Sequence, residues 1–204
     1  DALNGERIGN DGKPVQDPRK QAFADIAGHP AEADIKLLAD LRVIDGDSAP
    51  QSGGQGARFR PDDPTTQAEA LKMVVALKQM VPGPISIAIR PGGTNWFDPY
   101  LKASKDAGLL VPDDGFDPST PMDRQFLAAL LIRAAGWGRV AEIPGIYQVP
   151  AGDGSKVKAA YQGLVSLALG LGLLEPIGSN FEPRGTVSRA QVASALVRWL
   201  KMER

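Results

Sequence analysis

Three short stretches share one context: Phe59-Arg60-Pro61, Phe116-Asp117-Pro118 and Phe181-Glu182-Pro183. Seven residues beyond each phenylalanine stand Thr66, Asp123 and Ser188, all favourable helix N-caps. One position further come Gln67, Arg124 and Arg189, and one position before the caps come Thr65, Met122 and Val187. Apolar runs follow in register at Val74-Val75, Leu131-Ile132 and Leu196-Val197, without a gap. Self-similarity of this kind identifies a chain built from copies of one small unit.

Each unit reads as helix, loop, Phe-x-Pro segment, helix. In the first, Ile35, Leu38 and Leu41 share a helical face over about Pro30 to Leu41. The second helix of that unit opens with Thr66 and Glu69, a capping box. In the middle unit Tyr100, Leu101 and Ala103 start a helix that stops at Gly108, a natural C-terminal glycine. Asp123 caps the helix carrying Phe126, Leu127, Leu130 and Leu131. In the last unit Leu164, Val165 and Ala168 precede Gly172, and Ser188 precedes Val192, Ala195, Leu196 and Trp199. One such pair buries its apolar face poorly, whereas three can share a core. The expected architecture is all-α, a pseudo-three-fold helical bundle of three helix-loop-helix units with similar grooves between them.

The divisions expected are an irregular N-terminal arm over 1–22, units over 23–80, 95–136 and 155–204, and connectors over 81–94 and 137–154. Gly/Pro-rich stretches mark the connectors. Ile85 to Ile89 alternates strictly, as a short strand or an extended connector would. Phe59, Phe116 and Phe181 are expected in the core.

Composition bounds the function. Net charge is -1 over 204 residues, with 43% hydrophobic and 23% charged. That balance gives no bulk electrostatic case for nucleic acid or an anionic membrane. No apolar run approaches the roughly 20 residues needed to span a bilayer. Cysteine is absent, which excludes disulfides and thiolate metal sites. The visible acidic pairs, Asp62-Asp63 and Asp113-Asp114, lie beside Pro or Gly and read as solvated turn formers. They do not make the cleft of paired carboxylates that a glycosidase needs. No catalytic residue, metal site or cofactor is expected. His29, before Pro30 at a helix start, reads as a cap or surface residue.

These residues resemble the S-layer homology family, whose pattern runs Phe-x-Asp, His-Trp-Ala, a helix, Gly-Ile/Leu, Phe-x-Pro and Thr-Arg-Ala-Glu. The first unit shows Phe23-Ala24-Asp25, Gly28-His29-Pro30-Ala31 and Thr66-Gln67-Ala68-Glu69. The second shows Asn95-Trp96, Gly108-Leu109 and Asp123-Arg124, and the third Gly172-Leu173 and Ser188-Arg189-Ala190-Gln191. The resemblance covers about residues 23 to 204. It departs from the pattern at Gln67 (for arginine), Arg42 (for glycine) and Pro30 (for tryptophan), and the third unit has Ala159-Ala160 for His-Trp.

The resemblance implies a secreted module at the bacterial cell surface that anchors a protein non-covalently to the wall. Its ligand would be a pyruvylated secondary wall polysaccharide or peptidoglycan, held in grooves between units. Neighbouring S-layer subunits are further implied partners, and a purely structural assembly domain with degenerate sites is the alternative. The candidate ligand residues are Arg124, Arg189, Trp96, Gln67 and Asp25. A guanidinium grips a carboxylate through two parallel bonds, and one just inside a helix adds its charge to exposed N–H groups there. Gln67 donates to a sugar without neutralising an acid. Trp96 stacks on a sugar face or wedges into the core. Asp25 accepts sugar hydroxyls or caps a turn.

Overall fold

The computed structural model describes residues 23–46, 57–81, 83–143 and 145–202. The expected N-terminal arm and the Gly53-Gly54-Gln55-Gly56 loop lie outside them. Among the described residues the chain is all-helical: α1 (Glu32–Asp40), α2 (Gln67–Met80), α3 (Asp98–Asp106), α4 (Arg124–Ala134), α5 (Gly138–Ala141), α6 (Gln162–Gly170) and α7 (Arg189–Met202). Short 3-10 turns occur at Pro112–Asp114, Gly154–Lys156 and Ala159–Tyr161.

The second helices of the three units, α2, α4 and α7, pack on one another. The first helices lie outside them, and each packs on a neighbouring unit: α3 on α2, α6 on α4 and α1 on α7. The closure is therefore cyclic, with the first helix of the chain against the last. The helix α4 is enclosed on every side, and all of its residues from Arg124 to Ala134 are buried.

The helix starts are those the repeat predicts. Thr66 accepts from the Glu69 N–H and the Glu69 carboxylate accepts from the Thr66 N–H, completing the box. Asp123 accepts from the Phe126 N–H at 2.8 Å. Ser188 and Gln191 exchange the same reciprocal bonds. The start of α1 is two residues later than expected; the His29 ring accepts from the Ala31 N–H and its carbonyl from the Glu32 N–H.

The three units meet at a ring of backbone hydrogen bonds. Thr65 N–H donates to Val187 O, Val187 N–H to Met122 O, and Met122 N–H to Thr65 O, at 3.1, 3.0 and 2.8 Å. All three residues are fully buried. Around this ring, the first N–H of each second helix is satisfied by the next unit's loop: Gln67 by Thr120, Arg124 by Gly185 and Arg189 by Asp63. The second N–H follows the pattern, with Ala68 on Pro118, Gln125 on Pro183 and Ala190 on Pro61. The N–H groups that a helix leaves orphaned are thus spent on inter-unit contacts.

Several expectations need correction. Of the two readings offered for Ile85 to Ile89, a strand or a connector, the strand is not formed, and Ile87 is buried against the core. The stretch 137–154, expected only to connect, includes the single turn α5, which packs on α4 and α6. A Cβ on Gly163 of α6 would stand 1.9 Å from the Ala141 carbonyl oxygen, so that close approach requires glycine. Phe59 and Phe181 are fully buried, but Phe116 is only half-buried. Asp114 is not a solvated turn former. It is buried against Arg133 at 2.8 Å and accepts from the Tyr161 hydroxyl at 2.8 Å.

Candidate functional site: two open inter-unit grooves

The candidate arginines sit at the first position of their helices and reach across to the next unit. Arg124 donates through Nε to Phe181 O at 2.6 Å and through Nη2 to Glu175 O, with its guanidinium 4.9 Å over the Phe181 ring. Arg189 donates through Nε to Phe59 O at 2.7 Å and lies 4.8 Å over the Phe59 ring. A Glu69 carboxylate oxygen stands 3.5 Å from Arg189 Nη1. Both guanidinium groups are mostly covered, and burial pulls Arg124 below the ordinary arginine value against the opposing pull of Glu182 and Asp153. Gln67 makes the shorter version of the same reach, accepting from the Asp117 N–H at 3.0 Å.

These contacts revise the expected electrostatics. The helix N–H groups that were to reinforce the arginine charge are already bonded to carbonyls of the next unit. The arginines clasp units together while presenting part of their surface to a groove.

Asp25 is likewise structural in its contacts. Its two carboxylate oxygens accept from the N–H groups of Phe59 and Arg60, both at 2.8 Å. Asp153 does the same for Phe181 and Glu182, at 2.7 and 2.9 Å. In both, burial opposes ionisation but the backbone donors outweigh it, so each carboxyl sits below the usual aspartate value. The anchored residues Arg60 and Glu182 are left-handed, at φ 56° and 57°. Sequence reading missed Asp153, because Ala151-Gly152-Asp153 lacks the phenylalanine that marks Phe23-Ala24-Asp25.

Two grooves open between units, built to one plan. The first, about 220 Å³, is lined by Arg189 of the last unit, by Val43 to Gly46, Glu69 and Lys72 of the first, and by Trp96 of the second. Trp96 is 55% exposed, so it is not a core wedge; its ring stands edge-on to Phe97. The second groove, about 510 Å³, takes Arg124 from the middle unit, Leu174 to Ile177 and Arg198 from the last, and His29 and Pro30 from the first. Pro30 thus occupies the place that Trp96 fills in the first groove.

At the equivalent place on the third interface, Phe126 stands where Glu69 and Gln191 stand in the open grooves. It stacks on Tyr161 with ring centroids 6.4 Å apart and meets Phe116 edge-on. Phe126 and Tyr161 are both buried. Aromatic packing fills this interface, and Gln67 replaces the arginine there.

Of the expected ligand residues, Arg189 and Trp96 converge on one groove and Arg124 lines the other, whereas Gln67 and Asp25 line neither. Glu69, read in the sequence only as a capping residue, joins the first groove, and Lys72 and Asp45 join it without any motif to announce them. The one signal for Lys72 was helical register, three residues beyond Glu69.

A family model described as S-layer homology domain matches residues 22–71 and 152–193. The chain's first and last units are S-layer homology sequence. The matched segments are the first and last units, and the middle one completes the ring through Met122, Asp123 and Arg124. The S-layer protein sap of Bacillus anthracis is 25% identical over 153 residues, covering 72% of this chain and 18% of that protein. An S-layer protein of Bacillus thuringiensis subsp. finitimus is 25% identical over 187 residues, covering 87% of this chain and 21% of that protein. The chain thus spans about a fifth of the length of these relatives. S-layer homology domains are non-catalytic modules that bind the cell wall. No helix among the described residues is long and apolar enough to cross a membrane.

Proposed function

We propose that this S-layer homology chain anchors a protein non-covalently to the bacterial cell wall, at the cell surface, by holding wall polysaccharide or peptidoglycan glycan in its inter-unit grooves. The observation that carries this reading is Trp96. An indole 55% exposed beside polar and charged side chains is a platform for the apolar face of a sugar ring, with an N–H for a hydroxyl. The clasping roles of Arg124 and Arg189 make them poor first targets, since truncating them weakens the fold as well as the groove. Trp96→Ala is the cleaner test. Purified native walls should pull down the folded wild-type chain and retain Trp96→Ala at least about tenfold less, a loss of about 1.4 kcal/mol. Wild-type chain remaining in the supernatant would refute the reading for that wall.

A second reading, a structural assembly domain, draws on one feature. Trp137, Val140, Ile143 and Ile146 are all exposed along and just beyond α5. Concentration-dependent self-association by sedimentation, abolished by Val140→Glu, would favour it.

A further inference from the structure

We propose that the connector segment from Ile85 to Arg90 is an unpaired β-edge, through which two copies of this chain pair antiparallel about Ile87. The inference does not depend on wall binding; it supplies a contact of the kind the assembly reading requires.

The segment has the marks of a strand without a partner. Its burial alternates along the chain: Ile87 is buried and Ile85 and Ile89 are half-buried against the core, whereas Ser86, Ala88 and Arg90 are exposed. A period of two is that of extended backbone, and no turn or bend interrupts the segment. None of its N–H or C=O groups forms a hydrogen bond with any described residue. Backbone in that state is a template for a second strand. The devices that blunt such an edge are sparse here. The exposed side chains in its middle are the small, uncharged Ser86 and Ala88, and Pro84 and Pro91 lie outside it.

A second copy is the partner that the edge itself specifies. Antiparallel pairing about Ile87 sets Ile85 opposite Ile89 and Ser86 opposite Ala88, each pair occurring twice by symmetry. β-Branched side chains then face β-branched ones on the core side, small ones face small ones on the other, and no like charges meet. The ends match as well. Pro84 lies against Gly136, where an added Cβ would stand 2.3 Å from the proline Cγ, and the exposed Trp137 follows. In this register Arg90 of one copy arrives opposite Pro84 of the other, beside that indole. Arg90 is exposed and makes no ion pair with any described residue, so its guanidinium is available to lie over the Trp137 ring. Backbone pairing over so short a segment gives a weak dimer.

Sedimentation between about 1 μM and about 1 mM tests this. The wild-type chain should pass from monomer to dimer, and amides between Ile85 and Arg90 should exchange more slowly once it has. Ser86→Lys combined with Ala88→Lys sets like charges opposite each other at both symmetric positions and should weaken the dimer about tenfold. Ser86→Glu combined with Ala88→Lys sets opposite charges there and should restore it to within about threefold of wild type. Both side chains are exposed, so these variants keep the fold while testing the register. A folded wild-type chain still monomeric at about 1 mM would overturn the inference and leave wall binding untouched. A dimer that the double-lysine variant leaves intact would also overturn it, and loss of that dimer in Val140→Glu would then place the contact at α5 alone.

Discussion

Arg189 gives its Nε–H to the carbonyl oxygen of Phe59, 130 residues earlier, while its guanidinium lies over that residue's own ring. One side chain thereby joins the last unit to the first. Arg124 repeats the contact onto Phe181 and continues to the Glu175 carbonyl. Truncating either leaves a buried carbonyl without its donor, which costs about 1–3 kcal/mol. Arg189→Ala and Arg124→Ala should each lower the chemical-denaturation midpoint accordingly. Trp96→Ala, at an exposed site, should move it by no more than about 0.5 kcal/mol.

Arg42, like Arg60 and Glu182, is a left-handed residue without glycine's freedom. It sits at φ 57°, where the other units place Gly108 at 72° and Gly172 at 67°. Each closes its helix, with the following N–H returned to a carbonyl five residues back: Val43 to Leu38, Leu109 to Ser104 and Leu173 to Ala168. A left-handed non-glycine residue costs about 1–2 kcal/mol, partly offset by the entropy that glycine would lose. Arg42→Gly should therefore stabilise the fold by about 0.5–1 kcal/mol, a rise of about 2 °C in Tm.

Asp25 and Asp153 tie stability to pH. Both carboxyls are depressed below the unfolded aspartate value of about 3.9. Their stabilisation is therefore fully present above about pH 4–5 and is lost as pH falls through the folded values. The fold should hold its Tm from pH 7 to about 5 and lose it progressively below about 4. Asp25→Asn and Asp153→Asn should each lower Tm at neutral pH and show a shallower acid limb than wild type. An unchanged acid limb in the double variant would contradict the assignment.

The buried trio Arg133, Asp114 and Tyr161 locks the middle unit to the last. Burial first, and then the Asp114 hydrogen bond, push the Tyr161 phenol well above its ordinary value, so it remains a donor. Tyr161→Phe leaves one Asp114 oxygen unsatisfied and should cost about 1–3 kcal/mol. Asp114→Ala strands the buried Arg133 and should cost more, about 3–5 kcal/mol. Denaturant titration of both variants measures the order.

Much of this was legible in the residues. The Phe-x-Pro spacing and the caps at Thr66, Asp123 and Ser188 are local, and local chemistry sets where a helix begins. The apolar faces behind them have the helical period whatever they pack against. Together they specify three like units and an all-helical fold. What no local pattern contains is the partner of each face. Only the tertiary structure placed α1 against α7, because the units close cyclically and the helix N–H groups seek the next unit's carbonyls. It also showed that Arg124 and Arg189, which line the grooves, clasp units together, since a guanidinium over a buried ring and bonded to that residue's carbonyl is held there. Phe116, Phe126 and Tyr161 close one interface and leave the Trp96 groove open, a distinction set by three side chains far apart in sequence. Asp114 looked like a turn residue by its neighbours, and its burial followed from an arginine 19 positions later on a helix that is enclosed on every side.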